Sequence, residues 1–156
     1  MRRSAPFLLA VGWLLARRLH PDIPLGPHDV VVPGPPDEVR RRIEAKHRSG
    51  DVVIAGENAI VARFGGAAGP FAFRTVELIR FGENEVTYEH LGGTFLACHE
   101  RFLLRPDGDS ATRIEHVGVF KLRGGLFGWA LGRLVVKRLF EDHVTRELKT
   151  GLRPRD

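Results

Sequence analysis

The chain has 156 residues, of which 43% are hydrophobic and 28% are charged. This length fits a single domain with one core, and the composition predicts a folded globular protein. The only cysteine is Cys98, which excludes an internal disulfide and fits a reducing compartment. The formal net charge of +5 favours anionic surroundings, but it does not choose between a membrane, a nucleic acid and an acidic ligand.

The first twenty residues contain an uncharged apolar run, residues 5–16, with arginine pairs on both sides. As a helix this run would rise about 18 Å against a hydrocarbon core of about 30 Å, so it is too short to span a bilayer. Two arginines stand where a signal peptide needs small residues for cleavage, so we expect the segment to be retained. Two uses stay open: docking on the body of the protein, or contact with a membrane surface through residues 5–19.

A proline-containing linker is predicted over residues 21–28, and a short valine-rich strand follows over residues 29–32. Asp37 and Glu38 suit the first turn of a helix that runs to about residue 49. Val39 and Ile43 give this helix only a narrow apolar stripe. We therefore expect it to lie across a surface rather than at the centre of the fold.

A β-hairpin is predicted next, with strands over residues 52–55 and 59–64 around Gly56-Glu57-Asn58. The glycine-rich stretch 65–70 predicts a flexible turn with no element of its own. Longer strands follow over residues 71–81, 86–91, 95–105 and 112–122. Turn signals between these alternating runs predict an antiparallel sheet with one buried face.

Alternation along the strands predicts which side chains point inward. The inward sets are Ile114, His116, Gly118, Phe120 and Leu122 on the last strand, Leu96, Cys98, Glu100, Phe102 and Leu104 on the strand before it, and Val86, Tyr88 and His90 on the strand before that. The strand from residue 71 is ambiguous, because both of its alternations contain large apolar residues.

A long helix is predicted from about residue 126 to residue 152. Its first half is apolar nearly all round and should need cover on several sides. Its second half narrows to a stripe of Val136, Leu139, Phe140, Val144 and Leu148. His143 and Glu147 fall on or beside that stripe, where they face the sheet or form a pair at its edge.

Three stretches together carry a family resemblance: the valine-rich strand followed by Pro35-Pro36-Asp37-Glu38-Val39, the run from Arg101 to His116, and Phe120-Lys121-Leu122-Arg123-Gly124-Gly125 at the entry of the last helix. Over roughly residues 29–152 the chain resembles the START-like, polyketide-cyclase-like (SRPBCC) superfamily. The resemblance implies an α+β helix-grip fold, in which a curved antiparallel sheet of about six to seven strands grips a long C-terminal helix. To this we add an N-terminal apolar helix.

Together with the apolar run and the prolines, the resemblance predicts an apolar segment (1–20), a linker (21–28) and a START-like ligand-binding domain (29–152). It also implies an apolar cavity between sheet and helix for a lipid, isoprenoid or polyketide-like ligand. Family members often have a second short helix after the first one, whereas Gly50 here leads directly into a strand. The apolar segment could therefore serve as a lid.

The candidate ligand-binding residues are Tyr88, His90, Glu100, Phe102, His116, Phe120, Val136, Phe140, His143 and Glu147. Carboxylates and imidazoles that face one apolar cavity can act as general acid and base, but buried polar groups more often bond to one another. No histidine or cysteine pair has a recognised metal-binding spacing, and no glycine cluster has the phosphate-binding arrangement, so we expect neither a metal nor a cofactor.

Three functions compete. The first is binding or carriage of a hydrophobic small molecule, the second a polyketide cyclase or dehydratase-like enzyme, and the third a protein- or RNA-interaction module. We favour a non-enzymatic binding protein in the cytoplasm, with peripheral contact to the inner face of the membrane. Nucleic-acid binding is not expected, because the arginines do not alternate with exposed aromatic residues.

Overall fold

The structure of the protein is a computed structural model, in which residues 22–68 and 71–151 are described. The strands are β1 (Ile23–Pro33), β2 (Asp51–Ala55), β3 (Ala59–Ala68), β4 (Phe71–Phe81), β5 (Glu85–Gly93), β6 (Phe95–Pro106) and β7 (Ala111–Leu122). Helix α1 (Pro36–Arg48) connects β1 to β2, and the C-terminal helix comprises α2 (Gly125–Leu131), a π-helical turn (Gly132–Val136) and α3 (Lys137–Gly151). These elements confirm the α+β fold that the sequence predicted, with one curved sheet and a long C-terminal helix.

The sheet is antiparallel throughout and has the strand order β1-β7-β6-β5-β4-β3-β2. From β2 to β7 each strand pairs with the next one along the chain, and β7 then pairs with β1. Helix α1 carries the chain from one edge strand to the other. The narrow apolar stripe predicted for this helix is present: Val39 and Ile43 are buried against the core. Ion pairs such as Arg40–Glu44 lie on its outer side.

Strand β1 begins six residues earlier than the sequence predicted. Residues 23–28, expected as part of a linker, pair with β7, and the side chains of Ile23 and Leu25 are buried. Prolines break central strands because they cannot donate to the ladder, but edge strands and bulges tolerate them. β1 is an edge strand, and Pro27 lies at its bulge, so the prolines are compatible with a strand here.

The glycine-rich stretch after residue 64 is strand rather than flexible turn, because β3 continues to Ala68 and pairs with β4. Glycine has a packing reason here. The ring of Phe73, the partner of Gly66 on β4, packs over Gly66. A Cβ atom on Gly66 would lie 2.9 Å from this ring, so a larger residue does not fit there.

A bulge in β6 corrects the predicted orientation of Leu96. The register of β6 against β7 shifts between Phe95 and Ala97, which turns Phe95 inward and Leu96 outward. Phe95 is 4% exposed and Leu96 is 51% exposed. The remaining inward predictions for this strand hold, since Cys98, Glu100, Phe102 and Leu104 are buried.

The C-terminal helix covers the sheet from β1 to β3, with α3 contacting both strands. Its first half exposes large apolar side chains, namely Leu126, Phe127, Leu134 and Val135. The N-terminal apolar segment, expected as a lid or membrane contact, lies outside the described residues. Among the residues described, no helix has both the length and the apolar character needed to cross a membrane.

Candidate ligand cavity

A cavity of about 390 Å³ lies between the concave face of the sheet and the helices α1 and α3. Most of its wall is apolar. The apolar side chains include Phe64, Phe73, Phe95, Phe102, Phe140 and Val144, which come from three strands and from α3. These residues face one another because strand alternation and the stripe of α3 bring their apolar sides together.

Apart from Asp51 and Arg63, four polar side chains of the sheet line this cavity: Thr75, Glu77, Tyr88 and Glu100. We call this group the polar wall. It spans three neighbouring strands, β4, β5 and β6, and in the register of the sheet Tyr88 stands directly opposite Glu100. Polar groups placed this deep need hydrogen-bond partners, and the structure provides them.

Tyr88 bonds to a histidine of α1. The hydroxyl of Tyr88 lies 3.1 Å from Nε2 of His47, and Nδ1 of His47 lies 2.7 Å from the carbonyl oxygen of Ile43. A carbonyl only accepts, so Nδ1 carries the proton and Nε2 accepts the hydroxyl proton of Tyr88. Burial supports this assignment, because it lowers the pKa of His47 and raises the pKa of Tyr88 well above its usual value.

Glu77 belongs to a chain of hydrogen bonds that leads out of the cavity. Oε1 of Glu77 lies 3.0 Å from Oγ1 of Thr75, which lies 2.8 Å from Nδ1 of His90. Nε2 of His90 lies 3.1 Å from the carbonyl oxygen of Phe95, so Nε2 donates. Burial lowers the pKa of His90, which leaves Nδ1 of the neutral ring as an acceptor.

The single hydroxyl proton of Thr75 cannot serve both neighbours. If it goes to Nδ1 of His90, then Thr75 must accept a proton from Glu77, which requires the carboxyl of Glu77 to be neutral. If it goes to Oε1 of Glu77 instead, that bond favours the ionised carboxylate. Burial, reinforced by the charge of Glu100, raises the pKa of Glu77 to about 7, against the lowering effect of the Thr75 hydrogen bond.

Both carboxylate oxygens of Glu100 have partners within the sheet. Its Oε2 accepts from Nε2 of His116 at 2.8 Å, and its Oε1 lies 3.5 Å from the thiol of Cys98. His116 is 1% exposed and stacks on Phe102 with ring centroids 4.7 Å apart. Burial and the charge of Glu100 raise the pKa of the Cys98 thiol, so this cysteine is a poor nucleophile.

The cavity opens toward the C-terminal end of α1. Two ion pairs lie at this mouth: Lys46 Nζ–Glu147 Oε2 at 2.5 Å, which joins α1 to α3, and Arg63–Asp51 at 3.9 Å. The chain passes from α1 to β2 through Ser49 and Gly50 alone, so no second helix lies between them.

The structure brings six of the ten predicted residues to the cavity: Tyr88, Glu100, Phe102, Phe140, His143 and Glu147. The other four, His90, His116, Phe120 and Val136, do not line the cavity. His116 bonds to Glu100, His90 bonds to Thr75, and Phe120 and Val136 belong to a neighbouring core cluster. His116, which was predicted to bind the ligand, therefore does not line the cavity.

Sequence reasoning missed Thr75, Glu77 and His47. The first two were missed because the alternation of β4 was ambiguous. The side of β4 that carries Phe73, Ile79 and Phe81 is the bulkier apolar side, and this signal could have selected it. His47 follows Val39 and Ile43 at steps of four residues, which places it on the buried face of α1.

No protein-family model matches this sequence. No curated protein matches it in sequence either. Solved structures do match in fold. TTHA0849 from Thermus thermophilus has a TM-score of 0.69 at 22% identity, over 85% of this chain and 94% of that one. The Zhui aromatase/cyclase from a Streptomyces species has a TM-score of 0.68 at 14% identity, over 85% and 91%.

A third match is the lipid transfer and protein localization domain of human StarD13, with a TM-score of 0.60 at 13% identity, over 95% of this chain and 97% of that one. A START superfamily protein from Mycobacterium smegmatis matches as well. These similarities show the START-like helix-grip fold and confirm the resemblance that the sequence carries. The fold defines the class of protein, while the function must be argued from the cavity.

Proposed function

We propose that this protein binds and carries a hydrophobic small molecule, a lipid, isoprenoid or polyketide-like compound, in the cavity between the sheet and α3. The observation that carries this proposal is the cavity of about 390 Å³ with its largely apolar wall. Small-molecule sites commonly have about 300–1,000 Å³ and a few polar groups on an apolar wall. The fold shared with an aromatase/cyclase and a lipid transfer domain is consistent with it.

The energetics suit an apolar ligand. Burial of ten methylene groups contributes about 8 kcal/mol gross, against an association cost of about 4 kcal/mol or more. The difference of about 4 kcal/mol corresponds to a Kd of about 1 mM, and burial of about fifteen methylene groups gives micromolar binding without a strong polar contact. The polar wall would contribute selectivity rather than most of the affinity.

Native mass spectrometry of the purified protein tests the proposal. We expect a co-purifying apolar molecule, and we expect a fluorescent apolar dye to compete with it. The variant Val144→Trp should bind neither the co-purifying molecule nor the dye, because it places a large side chain in the cavity. Val119→Trp is the control, since Val119 is exposed on β7. A folded wild-type protein that carries no ligand and ignores the dye would contradict the proposal.

A second candidate function is acid–base catalysis on the bound molecule, as in a cyclase or dehydratase. The observation that favours it is the Glu77–Thr75–His90 chain. A carboxyl whose pKa is about 7 exchanges its proton readily at neutral pH, and the hydroxyl of Thr75 connects it to an imidazole outside the cavity.

The variant Glu77→Gln separates the two functions, because it keeps a polar group of similar size and removes the exchangeable proton. An enzyme should then carry an unconverted compound that differs in mass from the one bound to the wild type. A carrier should hold the same compound in both proteins. The ligands recovered from the two proteins by mass spectrometry decide between these outcomes.

A further inference from the structure

The protons of the polar wall are committed to protein partners. The hydroxyl of Tyr88 donates to His47, and the hydroxyl of Thr75 lies between Oε1 of Glu77 and Nδ1 of His90, so its single proton is used by one of them. Oε2 of Glu100 accepts a hydrogen bond from Nε2 of His116, and its Oε1 faces the thiol of Cys98. Toward the cavity the polar wall therefore presents oxygen lone pairs, on Tyr88, Glu77 and Glu100.

Other titratable and charged groups line the same cavity or lie next to the polar wall. They are Lys46 and His47 of α1, Asp51 of β2, Arg63 of β3, Tyr88 and His90 of β5, Cys98 and Glu100 of β6, and His143 and Glu147 of α3. Lys46 and Arg63 are held at the mouth by Glu147 and Asp51. His143 faces the cavity from the opposite wall, beside the ring of Phe73.

We propose that the polar wall binds an uncharged hydrogen-bond donor, so that the ligand is an apolar molecule with an alcohol or phenol hydroxyl at its inner end. The inference rests on the proposed binding function and names its ligand class. A hydroxyl donates to the acceptor oxygens of the wall. A ketone or ester brings only further acceptors, and a carboxylate adds a negative charge beside Glu100.

Three probes with twelve carbons each test this selectivity: dodecanol, methyl decyl ketone and dodecanoate, as competitors of a fluorescent apolar dye on the full chain. At about pH 8, dodecanol should compete at concentrations roughly tenfold lower than the other two, because an unpaired buried acceptor costs about that factor. The preference for dodecanol over the ketone should grow from about pH 6 to pH 8, since ionisation leaves the Glu77 carboxylate with acceptor oxygens only.

Glu77→Gln provides the matched test, because an amide has both an acceptor oxygen and its own N–H donors. In this variant the ketone should come within about threefold of dodecanol, and the pH dependence of the preference should disappear. Glu83→Gln is the control with the same change of charge, since Glu83 is exposed in the turn between β4 and β5. It should behave as the wild type does.

Equal affinity of the wild type for dodecanol and the ketone, or for dodecanol and dodecanoate, would overturn the inference while leaving ligand binding in place. So would an identical response of Glu77→Gln and Glu83→Gln. A wild-type protein that binds neither the dye nor any probe would instead overturn the proposed function. The two failures are therefore distinguishable in one set of titrations.

Discussion

At the scale of single residues, the protonation of Glu77 decides the character of the cavity. Its carboxyl is buried beside Glu100, and its pKa is raised to about 7. A neutral Glu77 allows the Thr75 hydroxyl to donate to His90, whereas an ionised Glu77 accepts from that hydroxyl. A neutral carboxyl in an apolar cavity costs less to bury than a charged one.

This arrangement predicts how the free energy of unfolding depends on pH. Between about pH 4.5 and pH 7 the unfolded chain releases the Glu77 proton while the folded protein retains it, so stability falls as pH rises across this window. The full loss is about 3 kcal/mol. In urea unfolding, Glu77→Gln should abolish this loss and be the more stable protein at pH 8. Parallel pH profiles for the variant and the wild type would contradict the assignment.

The buried Glu100–His116 pair is a second feature at this scale. Removal of one partner from a buried pair leaves the other uncompensated, at a cost of about 3–5 kcal/mol. We therefore expect His116→Ala to lower the free energy of unfolding by that amount, with part of the loss coming from the stack on Phe102. His99→Ala, on the exposed side of the same sheet, should change it by less than about 1 kcal/mol.

At the scale of elements, α1 and α3 frame the mouth of the cavity. The Lys46–Glu147 ion pair connects them, and this contact lowers the pKa of Glu147 despite its partial burial. Because α1 leads directly into β2, no further helix lies over this end of the described fold. Both partners of the ion pair are substantially exposed, so its role is expected in ligand exchange rather than in stability.

Lys46→Ala should release a bound apolar dye several-fold faster in stopped-flow displacement, because the two helices lose their contact across the mouth. High salt should accelerate release from the wild type in the same direction. Arg41→Ala is the control, since it removes an exposed ion pair with Asp37 on the outer side of α1. Equal release rates in the two variants would show that the pair at the mouth does not control exchange.

At the scale of the whole molecule, the first half of the C-terminal helix exposes an apolar surface. Phe127 and Leu134 are 78% and 77% exposed, and Arg133 and Arg138 are exposed close to them. Exposed apolar side chains next to basic ones suit a surface of anionic lipid. We therefore expect this surface to bind vesicles of anionic lipid.

Co-sedimentation with vesicles of phosphatidylglycerol and phosphatidylcholine tests this contact. The double variant Phe127→Ser/Leu134→Ser should bind the vesicles more weakly than the wild type, with unchanged thermal unfolding. Deletion of residues 1–20 in parallel shows how much of the binding depends on the N-terminal apolar segment. Vesicle binding that survives the double substitution and disappears with the deletion would place the contact in that segment alone.

The sequence by itself determined the elements of this fold and most of the inward side chains. Period-two alternation predicted Glu100, Phe102 and Tyr88 on the concave side of the sheet, and period-3.6 spacing predicted α1 and the long C-terminal helix. Local periodicity carries this information because burial of one face constrains every second or every fourth side chain.

Only the tertiary structure decided the contacts between distant segments. The bulge in β6 places Phe95, rather than Leu96, on the inward side of the sheet. The proline-rich stretch that precedes residue 29 becomes part of β1 because it pairs with β7. The same holds for the polar wall. Where each of its protons lies depends on His47 and His90, which come from other elements than Glu77 and Thr75. Such pairings follow from the packing of the whole sheet and helices, and no local pattern encodes them.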